Sequence, residues 1–259
     1  MADDTVIAPA DADVILAALA AYWAAPAPAR FTNRIPGRIA GSTHDQAVPE
    51  GAANPYWEIV RQMPLDTIGS PWRAQPEPDS YFFDPRDPMR LLTERHSLCV
   101  TFSWSIPSPG DIEWITSRLG GKGIVEPGAG GGYWAWQLAQ AGADVAAYDL
   151  VPAAPGNRFA VRGWHPVMAG DQYAVTAHPD RSMLLCWPSD GGSWARQALA
   201  AFGGDQLFYA GEGSGGCCAD DEFFALLDAG WDEAGICPHH ISYSGIHCYL
   251  TEYRRKESR

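Results

Sequence analysis

The chain has 259 residues, 46% of them hydrophobic and 19% charged, enough apolar material for one large domain or a domain with a sizeable extension. A formal net charge of −13 leaves little basic surface to neutralise phosphates, so sequence-independent binding of DNA or RNA is not expected. The N-terminal Met-Ala-Asp-Asp has no positive charge, and no stretch approaches about 18 uninterrupted apolar residues. Neither a signal peptide nor a membrane span is expected, and the chain reads as cytoplasmic with its six cysteines as reduced thiols.

Asp11 to Ala25 reads as an alanine-rich helix, capped by Asp11 or Asp13 and ended by Pro26 and Pro28. Residues 26–55 show no clear period and read as a long loop, either a lid or a partly disordered stretch. Pro55 to Met63 is a short helix with Pro55 in its first turn. Five prolines and Tyr81-Phe82-Phe83 fall between Pro71 and Pro88, and 88–96 reads as a further helical turn. Leu98 to Ser105 carries Val100, Phe102 and Trp104 with poor alternation, and Gly110 to Leu119 is a helix.

The most informative stretch runs from Gly123 to Asp149. Ile124 and Val125 close a short strand, and Glu126 follows. Gly128, Gly130, Gly131 and Gly132 then surround Ala129. Tyr133 to Ala141 is an apolar helix stopped by Gly142, and Asp144 to Tyr148 is a second strand ending at Asp149. Such a turn lets a ligand approach the backbone and offers free N–H groups. An acid about 20 residues on suits a ribose hydroxyl pair.

Glu126, Gly128, Gly130 and Gly132 fit acid-x-G-x-G-x-G, so the stretch resembles motif I and the following ribose-binding acid of class I S-adenosylmethionine-dependent methyltransferases. The dinucleotide fingerprint fits less well, because Tyr133 stands where its third glycine belongs. The resemblance covers roughly residues 108–253. It implies an α/β, Rossmann-like, seven-stranded and mostly parallel sheet, with helices on both faces and a terminal antiparallel hairpin.

The later elements suit that sheet. A possible strand lies near Phe159 to Val161 and a third strand at Pro166 to Ala169. Ser182 to Trp187 is a buried central strand and Ser193 to Phe202 a helix. Gln206 to Ala210 is the fifth strand, and Asp220 to Ala229 is a helix with acids in its first turn. Residues 231–237 and 246–253 form the final antiparallel pair. Residues 108–259 are thus the cofactor domain, and 1–107 an extension forming a substrate lid.

What the resemblance implies about the site follows from strand ends. Glu126, Gly128, Ala129, Gly130, Gly132, Asp149 and Leu150 would hold S-adenosylmethionine, with Asp171 at the adenine amino group and Trp104, in FSWSIPSP, over the methionine end. Trp187 would wall the cofactor and acceptor. The Asn/Asp-Pro-Pro-Tyr/Phe signature of amino-methyltransferases is replaced by Cys186-Trp187-Pro188-Ser189, which argues against base and glutamine-amide methylation. Glu212, between two glycines at the end of the fifth strand, is a candidate general base or substrate anchor, and His239 or His240, at the hairpin end, is another candidate base. Tyr81 and His96 could cap the site.

The cysteines and histidines between Cys217 and Cys248 have the wrong spacing for zinc ribbons or fingers, so no metal is expected. The implied reaction is methyl transfer to oxygen, nitrogen or carbon of a small molecule. A setting in secondary metabolism fits but is not shown by the residues. Aminocarboxypropyl transfer, cyclisation of the methionyl chain, and a non-catalytic cofactor-binding protein of the same fold remain open alternatives.

Overall fold

The computed structural model describes residues 46–61, 95–154, 157, 159–243 and 246–257, together with 39–40 and positions 14 and 17. The expected N-terminal helix, the proline-rich segment and Tyr81 lie outside the described residues, Val14 and Ala17 apart.

Before the sheet come β1 (Ile39–Ala40), α1 (Pro55–Val60), α2 (Arg95–Thr101) and α3 (Pro109–Arg118). Asn54 caps α1 by accepting from Trp57 N–H. Ser108 and Asp111 form a reciprocal capping box around Pro109, which starts α3 one residue before the expected Gly110. The sheet then builds from β2 (Ile124–Pro127), α4 (Tyr133–Gln140), β3 (Val145–Asp149), β4 (Val167–Ala169), β5 (Ser182–Cys186), α5 (Trp194–Ala201), β6 (Gln206–Gly211), α6 (Asp221–Gly230), β7 (Trp231–Ile236), β8 (Ser242–Tyr243) and β9 (Tyr249–Arg255).

Its order is β4-β3-β2-β5-β6-β9-β7. The first five strands pair in parallel, and β9 runs antiparallel between β6 and β7. This is a Rossmann-like, seven-stranded and mostly parallel sheet with a terminal antiparallel pair, as expected from the sequence. Phe159 to Val161 forms no strand; that segment crosses over the glycine turn instead, with Val161 N–H donating to the Val100 carbonyl and Trp164 N–H to that of Gly131.

Period-2 alternation sorts the strand residues between two cores. Ile124, Leu184 and Phe208 face Trp114, Trp134 and Leu138 of α3 and α4. Val125, Met183, Leu185, Leu207 and Tyr209 face Ala198, Leu199, Phe223 and Leu227 of α5 and α6. Each fully buried aliphatic or aromatic side chain contributes roughly 1.5–3 kcal/mol.

A third cluster joins the extension to this body. Tyr56, Trp57, Leu98 and Phe102 pack with Tyr133, Ile241 and Tyr243. Tyr133 also donates its hydroxyl to Asn54 and accepts from the Tyr56 N–H. β1 pairs antiparallel with β8. α1 and α2 are therefore packed on the sheet through a shared core.

Candidate active site

The chain runs outward from β2 to β3 and β4, then crosses back to β5, so the strand order reverses between β2 and β5. Open parallel sheets leave a crevice at such a switch point, beyond the carboxyl ends of the strands. Here it is a cleft of about 470 Å³. Gly128, Gly130, Asp149, Leu150 and Asp171 line one side, and Trp104, Trp187 and Trp194 provide aromatic wall.

The four glycines of the turn have different jobs. Gly128, Gly130 and Gly132 have φ of 73°, 56° and 72°, a left-handed backbone that other residues resist. A Cβ on Gly128 would lie 2.6 Å from the Trp194 ring, one on Gly131 would strike the Arg162 carbonyl oxygen, and one on Gly132 would meet Val167 at 2.9 Å. Only at Gly130 is the space ordinary, with Ala160 at 3.5 Å. Close packing by the chain itself would meet a side chain at Gly128, Gly131 and Gly132, while a Cβ at Gly130 has room; Gly128 and Gly130 both line the cleft.

Asp149 bridges the motif. Its Oδ2 accepts from Gly130 N–H at 2.7 Å and its Oδ1 from Val151 N–H at 2.8 Å. Each oxygen retains acceptor capacity toward the cleft that the residue lines. Leu150, 74% exposed, offers an apolar surface beside it. Asp171 caps the following 3₁₀ turn by accepting from Tyr173 N–H, and also lines the cleft.

At the inner end a hollow of about 40 Å³ is lined by Glu126, Ala129, Gly130, Ser103 and Trp104, sharing several residues with the main cleft. Glu126 is only 2% exposed, and its Oε2 has no hydrogen-bond partner. Burial raises its carboxyl to about 8, against a lowering hydrogen bond from the Ala135 backbone; Asp149 nearby raises it further. A carboxyl this poorly served invites a cationic partner.

Trp187 follows β5 with φ at 46°, a strained conformation for a bulky residue, and donates its N–H to the Ala210 carbonyl at 2.7 Å. Trp104 donates its indole N–H to the Phe159 carbonyl. His96 is exposed and meets the Trp104 ring edge-on at 5.7 Å.

Two expected catalytic residues are elsewhere. Glu212 is buried, and its two oxygens accept from the backbone N–H groups of Cys217 and His247. It staples the loop after β6 and does not line the cleft. His239 lines a separate hollow with Gln46 and Gly110, which shares no lining residue with the cleft. Its neighbour His240 is the more unusual group. Its Nδ1 lies 3.1 Å from Asp111 Oδ2 and its Nε2 3.3 Å from Cys248 Sγ. Burial opposes charge on this ring, yet Asp111 and Cys248 hold its pKa up to about 10.

Ser189 and Asp190, in the loop after β5, line the cleft, and sequence reasoning missed Trp194 and Phe159 in its wall. An aromatic residue in the first turn of the helix after β5 was the available signal for Trp194. Among the described residues, no group of three His, Cys, Asp or Glu could hold a metal ion, and no helix is long and apolar enough to cross a membrane.

No protein-family model and no curated protein matches the chain. Solved structures do. One, described by the conversion of a disulfide bond into a thioacetal group during echinomycin biosynthesis, is 16% identical over 56% of this chain and 80% of its own, with a TM-score of 0.37. The Burkholderia thailandensis 1,6-didemethyltoxoflavin-N1-methyltransferase is 19% identical over 57% and 77%, with a TM-score of 0.35. Magnesium protoporphyrin IX methyltransferase from Synechocystis PCC 6803 is 16% identical over 56% and 76%, also at 0.35.

Proposed function

We propose that this chain, with its class I methyltransferase-like sheet, binds S-adenosylmethionine in the cleft and transfers its methyl group to oxygen, nitrogen or carbon of a small molecule. The observation that carries this reading is the buried Glu126, whose Oε2 has no partner, in a hollow that shares residues with a cleft presenting Gly130 and Asp149. An ammonium at Glu126, a ribose at Asp149 and an adenine between Leu150 and Asp171 match the chemistry of those residues in the order in which β2, β3 and β4 deliver them.

When bound, the cofactor supplies an electrophilic methyl carbon for in-line displacement. The protein's task is then to hold the acceptor in line and exclude water. Trp104 and Trp187 offer aromatic faces that suit a flat acceptor. Asp190, exposed on the same wall, is the carboxylate available to take an acceptor proton. Residues 108–259 serve as the cofactor domain, and Trp104, from the preceding extension, stands on the acceptor side.

Calorimetry with S-adenosylmethionine and NADH tests the cofactor. Binding of the first and not the second is expected; no S-adenosylmethionine binding would sink the reading. Incubation with an acceptor panel then separates chemistries, because S-adenosylhomocysteine marks methyl transfer and methylthioadenosine marks use of the aminocarboxypropyl group.

A further inference from the structure

Arg95 opens α2, in the extension, yet its guanidinium lies against the rings that wall the cleft. Its Cζ is 5.0 Å from the Trp187 ring centre, 5.8 Å from that of Trp104 and 5.9 Å from that of Tyr243. Nε and Nη2 are buried and have no hydrogen-bond partner. These two nitrogens form one edge of the guanidinium, and their N–H bonds point in parallel. That edge matches the two oxygens of a carboxylate.

The missing partner stands out in this chain. It has 31 Asp and Glu against 18 Lys and Arg, and Arg61, Arg118, Arg181, Arg196 and Arg254 each meet a carboxylate. Among the described residues, none pairs with Arg95. Aromatic faces attract the cation but accept no directional bond from its edge. A buried charged donor left this way is costly to the fold, and a ligand that supplies the missing acceptor would offset that cost.

We propose that Arg95 is the anchor for a carboxylate on the acceptor, and hence that the substrate is a flat, acidic small molecule. This rests on the methyltransferase reading for the word acceptor, but not for the anion site itself. Trp104 and Trp187 are shared by the guanidinium and the cleft, so a ring stacked on them carries its carboxylate toward Arg95. The unpaired edge is closed to solvent in this structure. Entry of the anion therefore requires a covering ring to shift, and Trp187, which lies 5.0 Å from Cζ and also lines the cleft, is the ring to which we assign that shift. The adenosine side is occupied by different groups, since Asp149 and Asp171 repel anions and sit at the ends of β3 and β4.

The test uses 2-naphthoate and its neutral isostere 2-naphthamide, titrated by ligand-observed NMR and intrinsic fluorescence, with and without saturating S-adenosylhomocysteine. The wild type binds the acid at least tenfold tighter than the amide. Arg95→Met abolishes the difference; Arg95→Lys, which keeps charge but lacks the fork, restores only part of it. Thermal melts of both variants establish that they are folded. Equal binding of acid and amide by the wild type, no naphthoate binding at millimolar concentration, or unchanged naphthoate affinity in folded Arg95→Met overturns the proposal. A tenfold loss of S-adenosylhomocysteine affinity in that variant also overturns it, by moving the anchor to the cofactor's own carboxylate. If S-adenosylhomocysteine fails to bind the wild type, the cofactor reading falls, while the titration without it still decides the anion site.

Discussion

Asp149 Oδ2 accepts the Gly130 N–H across 19 residues of sequence, fastening the end of β3 to the glycine turn. One carboxylate therefore both shapes the turn and faces the cleft. Asp149→Ala should weaken S-adenosylhomocysteine binding by about 1–3 kcal/mol and speed amide exchange at Gly130, since a charge-assisted bond and a ligand contact go together. Calorimetry and hydrogen exchange read the two effects separately. Weaker binding with unchanged exchange would show that the bond to Gly130 is dispensable to the turn.

The glycines predict a split between stability and binding. Gly130→Ala places a methyl where there is room, so the fold loses only the roughly 1–2 kcal/mol of a left-handed residue while the cleft loses ligand. Gly131→Ala meets the Arg162 carbonyl oxygen, which is backbone and cannot rotate away. That variant should lose more stability than Gly130→Ala, by thermal melt, despite lining no part of the main cleft. A melt of Gly131→Ala as high as that of Gly130→Ala would contradict this assignment.

The sheet was legible because its signals are local. Buried apolar runs mark β5 and β6, and the glycines and Asp149 mark the turn. Tyr133 was legible as a residue that breaks the dinucleotide pattern, but its bonds to Asn54 and Tyr56 were not. Distance in sequence explains most of what was missed. Trp194 packs on Gly128 and Arg95 on Trp187 only after the crossover and the extension are in place. Glu212 reads as a cleft carboxylate from its strand end, yet the path of the next loop turns Cys217 N–H onto it. Two-residue strands such as β1 and β8 carry no pattern at all.

Glu126 makes a pH prediction with a definite sign. Its carboxyl titrates near 8 in the folded chain against an ordinary 4.5, so between those values the folded state holds a proton that the unfolded state has released. Stability should fall as pH rises through that window, by up to a few kcal/mol, and flatten above about 8. Glu126→Gln should remove that component of the slope in denaturant melts. The same group predicts proton release when an ammonium-bearing ligand binds at pH 7. S-adenosylhomocysteine should show it in calorimetry across buffers of different ionisation enthalpy, whereas methylthioadenosine, which lacks the ammonium, should not. Equal proton release by both ligands would remove Glu126 from the amino-acid end of the site.

His240 carries the opposite kind of group in the same pH range. Burial disfavours its charge, but Asp111 at 3.1 Å and Cys248 at 3.3 Å raise its pKa to about 10 from an ordinary 6.5. The folded state therefore keeps a proton that the unfolded state loses above 6.5. The stabilisation from this pair is complete below 6.5 and is lost as pH climbs toward about 10. Asp111 also closes the capping box of α3, so it is tied to both helix and hairpin. Asp111→Asn leaves the imidazolium buried without its counter-charge and should cost about 3–5 kcal/mol at pH 6. The loss should shrink at pH 9, where the imidazole of the variant is neutral in both states. Denaturant melts of the variant and wild type at the two pH values measure it, and a penalty that does not change with pH would mean that His240 is neutral in the folded protein.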